Sequence, residues 1–147
     1  MSSHLVTIFR VEPRWIAAAK APAKPGEISS TMLALLGRGW NFIKQSGVKS
    51  DGQNVAIYRQ DFIEAGPRVI KKFGDSGGIA CVATPSGLAA MTIHMGPYQQ
   101  LGEAHAAVRD WCVANGHALE GTNWEVYGHH EDDPARRRTD VFYLLRS

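Results

Sequence analysis

Cysteine, net charge and long apolar runs are all scarce in this sequence of 147 residues. The two cysteines, Cys81 and Cys112, lack the spacing of a metal site, so we expect reduced thiols and neither metal nor cofactor. The formal net charge is only +2 and the basic residues are scattered, which argues against direct nucleic-acid binding. No apolar stretch approaches the roughly 18 residues that span a bilayer, which argues against a membrane protein.

Charged and histidine-rich segments are equally sparse. The start of the chain, MSSHLVTIF, lacks the basic and apolar segments of a signal peptide, so we expect a cytoplasmic protein. Arg136–Arg138 follows the acidic Glu131–Asp133, and this pair of opposite charge groups predicts a solvated loop. His129 and His130 are adjacent, and adjacent strand residues point to opposite faces, so they are not predicted to bind a metal together.

The segment GDSGG, residues 74–78, has the letters that surround the nucleophile of chymotrypsin-like proteases. Such an enzyme needs two barrels and a histidine base far upstream, whereas the only histidine before Ser76 is His4. Glycine and aspartate also supply the positive φ and side-chain capping of a tight turn. We therefore predict a turn between two strands at this segment and not a catalytic serine.

An internal repeat organises the chain. SGVKSDGQNVAIY at 46–58 aligns with NGHALEGTNWEVY at 115–127, and the glycine, acidic, asparagine and tyrosine positions coincide at one constant offset. The same offset superposes two apolar stripes with helical spacing, made of Met32, Leu35, Leu36, Gly39, Trp40 and Ile43, and of Leu101, Ala104, His105, Val108 and Cys112.

These stripes predict helices over about 30–45 and 99–115. Ser29 or Ser30 is the predicted N-cap of the first helix, and Pro97 suits the first turn of the second. Gly47 and Gly116 stand where left-handed terminators belong.

Strand-like segments flank both helices, so each half has the order strand, strand, helix, strand, strand. They are LVTIFRV, RWIAAAKA, QNVAIYRQ and RVIKKF in the first half, and IACVATP, LAAMTIHMG, TNWEVYGHH and TDVFYLL in the second. The pattern predicts an α+β fold in which antiparallel sheet carries helices on one face. We expect one domain over 1–147, with repeats at about 4–73 and 78–146 and a ligand groove at their pseudo-twofold junction.

The two repeats differ in charge at one position of this strand, where NVAIY has Ala56 and NWEVY has Glu125. Strand alternation places Glu125 on one face with Asn123 and Tyr127, and Trp124 and Val126 on the other, where we predict packing against a helix. A carboxylate in such a strand must find a partner, become protonated or serve a ligand, and no basic partner is evident. The alternatives are an edge-strand glutamate in water, or one paired with Arg14 or Lys20.

The sequence resembles the GyrI-like small-molecule-binding domain, which is also the effector-binding part of AraC- and MerR-type multidrug regulators. The resemblance rests on His94–Tyr98 (HMGPY) before the second helix, on Trp124–Tyr127 (WEVY) and on Phe62–Val69 (FIEAGPRV). It implies a pocket for amphipathic, cationic or planar compounds, with Glu125 at its floor and aromatic walls. The chain has no helix-turn-helix segment and so is similar to the stand-alone members.

Three functions follow from the resemblance. The first is capture of amphipathic or cationic compounds without chemistry, and the second is hydrolysis of cyclopropane-bearing electrophiles, for detoxification, by a water that Glu125 activates. The third is protein interaction, as in gyrase inhibition. DNA gyrase or a transcription regulator as partner rests on this analogy alone, and a homodimer stays open.

Seven residues are the candidate ligand contacts. Glu125 is the predicted anchor or base, and Tyr98 is a candidate hydroxyl donor to a leaving oxyanion. The alternative is core packing for Tyr127, Tyr58 and Trp40, a surface position for Tyr98 and a structural role for His94. Tyr143 in the last strand is a further candidate for the aromatic wall.

Overall fold

The computed structural model describes residues 4–146. This part of the chain forms eight strands and two α-helices, which confirms the predicted α+β class. In chain order they are β1 (Thr7–Val11), β2 (Trp15–Pro22), α1 (Ile28–Ser46), β3 (Ser50–Tyr58), β4 (Phe62–Val69), β5 (Ala80–Ala83), β6 (Gly87–Met95), α2 (Leu101–Ala114), β7 (Leu119–Tyr127) and β8 (Arg138–Leu145). None of these helices is long and apolar enough to cross a membrane.

The chain divides into two compact units, each with one helix and four antiparallel strands. The α1 unit is Pro13–Thr84, with strand order β3-β4-β2-β5. The α2 unit contains residues 4–12 and 85–146, with strand order β1-β6-β8-β7. The first strand of each sequence repeat is thus exchanged between the units. β1, from the first repeat, pairs with β6 in the α2 unit, and β5, from the second repeat, pairs with β2 in the α1 unit.

Both predicted helices are present, and the details of their ends differ from the prediction. α1 begins at Ile28 after Glu27, and the Ser30 hydroxyl donates to the Glu27 carbonyl, so the predicted capping by Ser29 or Ser30 is wrong. A short 3₁₀ turn, Tyr98–Gln100, follows Pro97 and precedes α2. Gly47 and Gly116 adopt φ of 76° and 73°, which confirms the predicted left-handed terminators.

The predicted strand RVIKKF lies in the wrong place. The fourth strand is Phe62–Val69, which contains the Gly66-Pro67 pair and begins six residues before the predicted segment. A Cβ on Gly66 would lie 1.8 Å from the Ala17 carbonyl oxygen, so glycine is needed here for the close approach of β2. Pro67 faces Asn54 where the pairing of β3 with β4 is irregular, which accommodates a residue without a backbone N–H.

The GDSGG segment forms a tight turn, as predicted. Ser76 and Ile79 exchange both backbone hydrogen bonds, at 2.9 and 3.0 Å between nitrogen and oxygen. The two residues between them, Gly77 and Gly78, have φ of 59° and 82°, the positive values that type I′ turns require. The Asp75 carboxylate accepts from the Cys81 backbone N–H at 2.9 Å, which ties the turn to the start of β5.

Candidate functional site

The face of β7 that carries Glu125 packs against α2. Ala104, Val108 and Cys112 of α2 form a buried cluster with Val141 and Tyr143 of β8. Val141 is the cross-strand partner of Glu125, and Tyr143 that of Asn123, so Glu125 shares this face. Trp124 instead stacks on Phe142, with centroids 5.0 Å apart. The prediction that Trp124 and Val126 pack against the helix is therefore wrong. The more polar face of β7, which carries Glu125, is the one that α2 covers.

Glu125 is a buried carboxylate with both oxygens hydrogen-bonded. Its residue is 4% exposed, which excludes the alternative of an edge-strand glutamate in water. Oε2 lies 2.7 Å from His105 Nε2, and Oε1 accepts a hydrogen bond from the Tyr127 hydroxyl. The basic partner is His105 of α2, and neither of the alternatives expected from the sequence, Arg14 and Lys20, is among the partners described for Glu125.

A chain of hydrogen bonds continues from His105 to Arg109. His105 Nδ1 lies 2.7 Å from the Tyr143 hydroxyl, to which Arg109 Nη1 donates at 2.9 Å. Because a guanidinium only donates, the Tyr143 oxygen accepts there and its O–H is available to donate to Nδ1. We therefore assign the imidazole proton to Nε2, which donates to Glu125. In this arrangement every donor of the chain from Arg109 to Glu125 has an acceptor.

Tyr143 stays a neutral phenol in this chain. Burial raises the pKa of its hydroxyl above the ordinary value, and the hydrogen bond and charge of Arg109 offset only part of that effect. A protonated phenol can both accept and donate. Tyr143 therefore accepts from Arg109 and donates to His105 Nδ1.

Two further aromatic contacts border the carboxylate. The Tyr98 ring meets Tyr127 edge to face, with centroids 5.9 Å apart, and the guanidinium of Arg137 lies 5.3 Å from the Tyr98 centroid. Tyr98 is 45% exposed, while Tyr127 is 7% exposed. The cluster of Tyr98, Tyr127, Tyr143, His105, Arg109 and Glu125 therefore reaches from the surface to a buried charge.

The remaining candidates have other surroundings. His94 is 2% exposed, and its ring nitrogens lie 3.1 Å from the Pro97 carbonyl oxygen and 3.0 Å from His4 Nε2. Trp40 belongs to the α1 unit and donates from Nε1 to Asn54 Oδ1 at 2.7 Å. Tyr58 ends β3 of the same unit. Their contribution to a groove at the junction of the repeats stays a prediction.

His105 and Arg109 are the site residues that the sequence analysis missed. His105 was counted in the apolar stripe of α2, and Arg109 was not singled out. The repeat contained a signal for both, because the constant offset aligns them with Leu36 and Trp40 of α1. Two apolar positions of α1 thus correspond to His105 and Arg109 in α2, on the helix face that lies against Glu125 and Tyr143. The differences Leu36/His105 and Trp40/Arg109 between the helices, together with Ala56/Glu125 between the strands, are therefore a sequence signal for His105, Arg109 and Glu125.

Comparison with solved structures shows that the fold is the one expected from the resemblance to GyrI-like small-molecule-binding domains. The C-terminal domain of EcmrR superposes with a TM-score of 0.83 at 17% identity, covering 99% of each chain. SAV2435 bound to tetraphenylphosphonium matches with a TM-score of 0.60 at 12% identity, over 97% of this chain and 94% of that chain. A hydrolase encoded by lin2189 from Listeria innocua matches with a TM-score of 0.61 at 10% identity, over 96% and 91%.

These likenesses lie in the fold and not in close sequence relationship. No family model matches the sequence, and no curated protein does. In the complex of EcmrR with DNA the match covers 98% of this chain and 58% of that chain, so this chain corresponds to about half of that protein.

Proposed function

We propose that the protein binds small lipophilic cations with aromatic or planar groups, and that Glu125 is the anchor for their charge. One observation carries the proposal: a carboxyl group that is 4% exposed lies 2.7 Å from an imidazole nitrogen, accepts a hydrogen bond from a phenol and borders an aromatic cluster that reaches the surface at Tyr98. These contacts hold the carboxyl group in one orientation. The fold is shared with SAV2435, whose structure contains tetraphenylphosphonium, a cation of this class.

The surrounding side chains fit the apolar part of such a ligand. Tyr98, Tyr127 and Tyr143 present aromatic faces within one unit, and each cation–π contact of this kind contributes about 0.5–2 kcal/mol. His105 is 16% exposed at its side chain and lies 2.7 Å from the carboxyl group, so we propose that a ligand approaches Glu125 past this side chain.

Charge selectivity tests this proposal. We expect tetraphenylphosphonium to bind at least about tenfold more tightly than tetraphenylborate, which has a similar shape and the opposite charge, because only the cation is attracted to Glu125. Titration calorimetry of both ions against the intact protein at pH 8 measures the difference. Equal affinities would show that the site recognises aromatic bulk and not charge.

Hydrolysis of a small electrophile is the second candidate function, and the pairing of Glu125 with His105 at 2.7 Å favours it. A carboxylate beside an imidazole can accept a proton from water, and the Tyr98 hydroxyl could donate to a leaving oxyanion. Incubation with a cyclopropane-bearing alkylator, followed by mass analysis, should then reveal a product heavier by one water. Unchanged compound at stoichiometric protein excludes hydrolysis of that substrate.

A further inference from the structure

We propose that Arg137 determines the specificity of the site by binding an anionic group, so that the preferred ligand is a lipophilic cation that also carries a carboxylate. This inference rests on the proposed function, which assigns the cationic end of the ligand to Glu125. Arg137 is half-buried, and its guanidinium lies 5.3 Å from the centroid of the Tyr98 ring, where the aromatic cluster reaches the surface.

The backbone places Arg137 on the side of the sheet that carries the site. Arg137 directly precedes β8 and has an extended backbone, and its carbonyl accepts from the Gly96 N–H at 2.8 Å, so pairing with the end of β6 continues to this residue. Every second residue of a strand faces the same side, and Val141 and Tyr143 of β8 pack against α2. Arg137 therefore lies on the side of Glu125, whose cross-strand partner is Val141.

The guanidinium of Arg137 is held in place with its terminal nitrogens unused. Its Nε donates to the Glu131 backbone carbonyl at 3.0 Å, and the Tyr98 ring lies under its plane of charge. Within residues 4–146 the two terminal nitrogens donate to no protein group. These N–H groups form the planar fork that binds a carboxylate through two hydrogen bonds, and its fixed position lowers the entropy lost on binding.

Neighbouring charges of the same loop are paired with each other. His130 Nε2 lies 2.7 Å from Asp132 Oδ1, and Arg138 Nε lies 2.8 Å from Asp140 Oδ1. No ion pair described for the structured part of the chain includes Arg137. A simple cation entering the site is therefore repelled by this guanidinium, whereas a carboxylate on the same ligand is attracted to it.

A pair of tyrosine rings lies between the two charged groups. Arg137 contacts Tyr98, the Tyr98 ring meets Tyr127 edge to face, and the Tyr127 hydroxyl donates to Glu125. A ligand with its cationic group near Glu125 and its carboxylate at Arg137 places its aromatic groups along these rings. The preferred ligand class is thus an aromatic zwitterion.

Two phosphonium ions of nearly equal size test this specificity. One is n-pentyltriphenylphosphonium, and the other is (4-carboxybutyl)triphenylphosphonium, whose flexible chain ends in a carboxylate that is ionised at pH 8. In titration calorimetry with the intact protein at pH 8 we expect the carboxylated ion to bind at least about fivefold more tightly. The parent protein suffices for this comparison, so it does not depend on the folding of a variant.

Two arginine variants assign the effect. Arg137→Gln should bring the ratio of the two affinities to about one, whereas Arg136→Gln, which removes the same charge from the exposed neighbouring position, should keep the parent ratio. Binding of the carboxylated ion that is equal to or weaker than that of the pentyl ion overturns the specificity and leaves the proposed function standing. A preference that survives in Arg137→Gln also overturns it and assigns the carboxylate to another basic residue. Absence of binding for both ions overturns both proposals.

Discussion

Gly39→Ala is expected to lower the free energy of unfolding by about 2 kcal/mol, which corresponds to a fall of roughly 5 °C in Tm. Gly39 is buried on the face of α1 that packs on the sheet of the α1 unit. A Cβ there would lie 2.5 Å from Pro67 Cδ and 2.8 Å from the Ala17 carbonyl oxygen. Neither a proline ring nor a strand backbone moves easily, so the helix must shift away from the sheet and lose packing.

Gly37→Ala is the matched control for this prediction. Gly37 lies two residues before Gly39 on the same helix, and a Cβ there would have no neighbour within 4 Å. Alanine should therefore raise the free energy of unfolding by about 0.5–1 kcal/mol through its better helix propensity. Chemical denaturation of both variants measures the difference. Equal stabilities for the two variants would mean that α1 does not approach the sheet as closely as described.

The two repeats have side chains of different size at this helix position. At the position equivalent to Gly39, α2 has Val108, which is fully buried in the cluster of the α2 unit. The helix of the α1 unit is held close by the pair Gly39 and Gly66, while the α2 unit has room for a branched side chain. The sequence repeat predicted equivalent helices correctly, but the spacing of each helix from its sheet depends on which backbones meet, and this is a tertiary property.

Local chemistry explains which parts of the fold were predictable. The helices and most strands were found because apolar periodicity and glycine terminators such as Gly47 act within a few residues. β4 lies earlier in the chain than predicted, and its close approach to Ala17 at Gly66 is a long-range contact that no local pattern indicates. The exchange of β1 and β5 between the repeats was not predicted, because strand pairing is decided between segments far apart in the chain.

Four of the six residues of the candidate site were candidates from the sequence, and two were not. Glu125 was found because a carboxylate stands where the other repeat has alanine, and Tyr98, Tyr127 and Tyr143 were named with it. His105 and Arg109 were missed because their role depends on which face of β7 lies against α2. The polar face was expected to avoid the helix, whereas hydrogen bonds from His105 and Tyr127 satisfy the carboxylate there.

Glu125→Gln is expected to weaken tetraphenylphosphonium binding about 30-fold at pH 8, a loss of about 2 kcal/mol. A cation about 5 Å from the carboxylate at an effective dielectric constant of about 20 gains about 3 kcal/mol, and desolvation offsets part of this. Glutamine keeps the size of the side chain and removes its charge. The control is Glu120→Gln, which removes the same charge from an exposed position on the same strand.

Titration calorimetry of tetraphenylphosphonium against the parent, Glu125→Gln and Glu120→Gln proteins is the most direct measurement of whether the buried carboxylate recognises the cation. The account predicts parental affinity for Glu120→Gln and a loss of about 30-fold for Glu125→Gln, with both variants folded by circular dichroism. Parental affinity in a folded Glu125→Gln protein would contradict the assignment of Glu125 as the anchor.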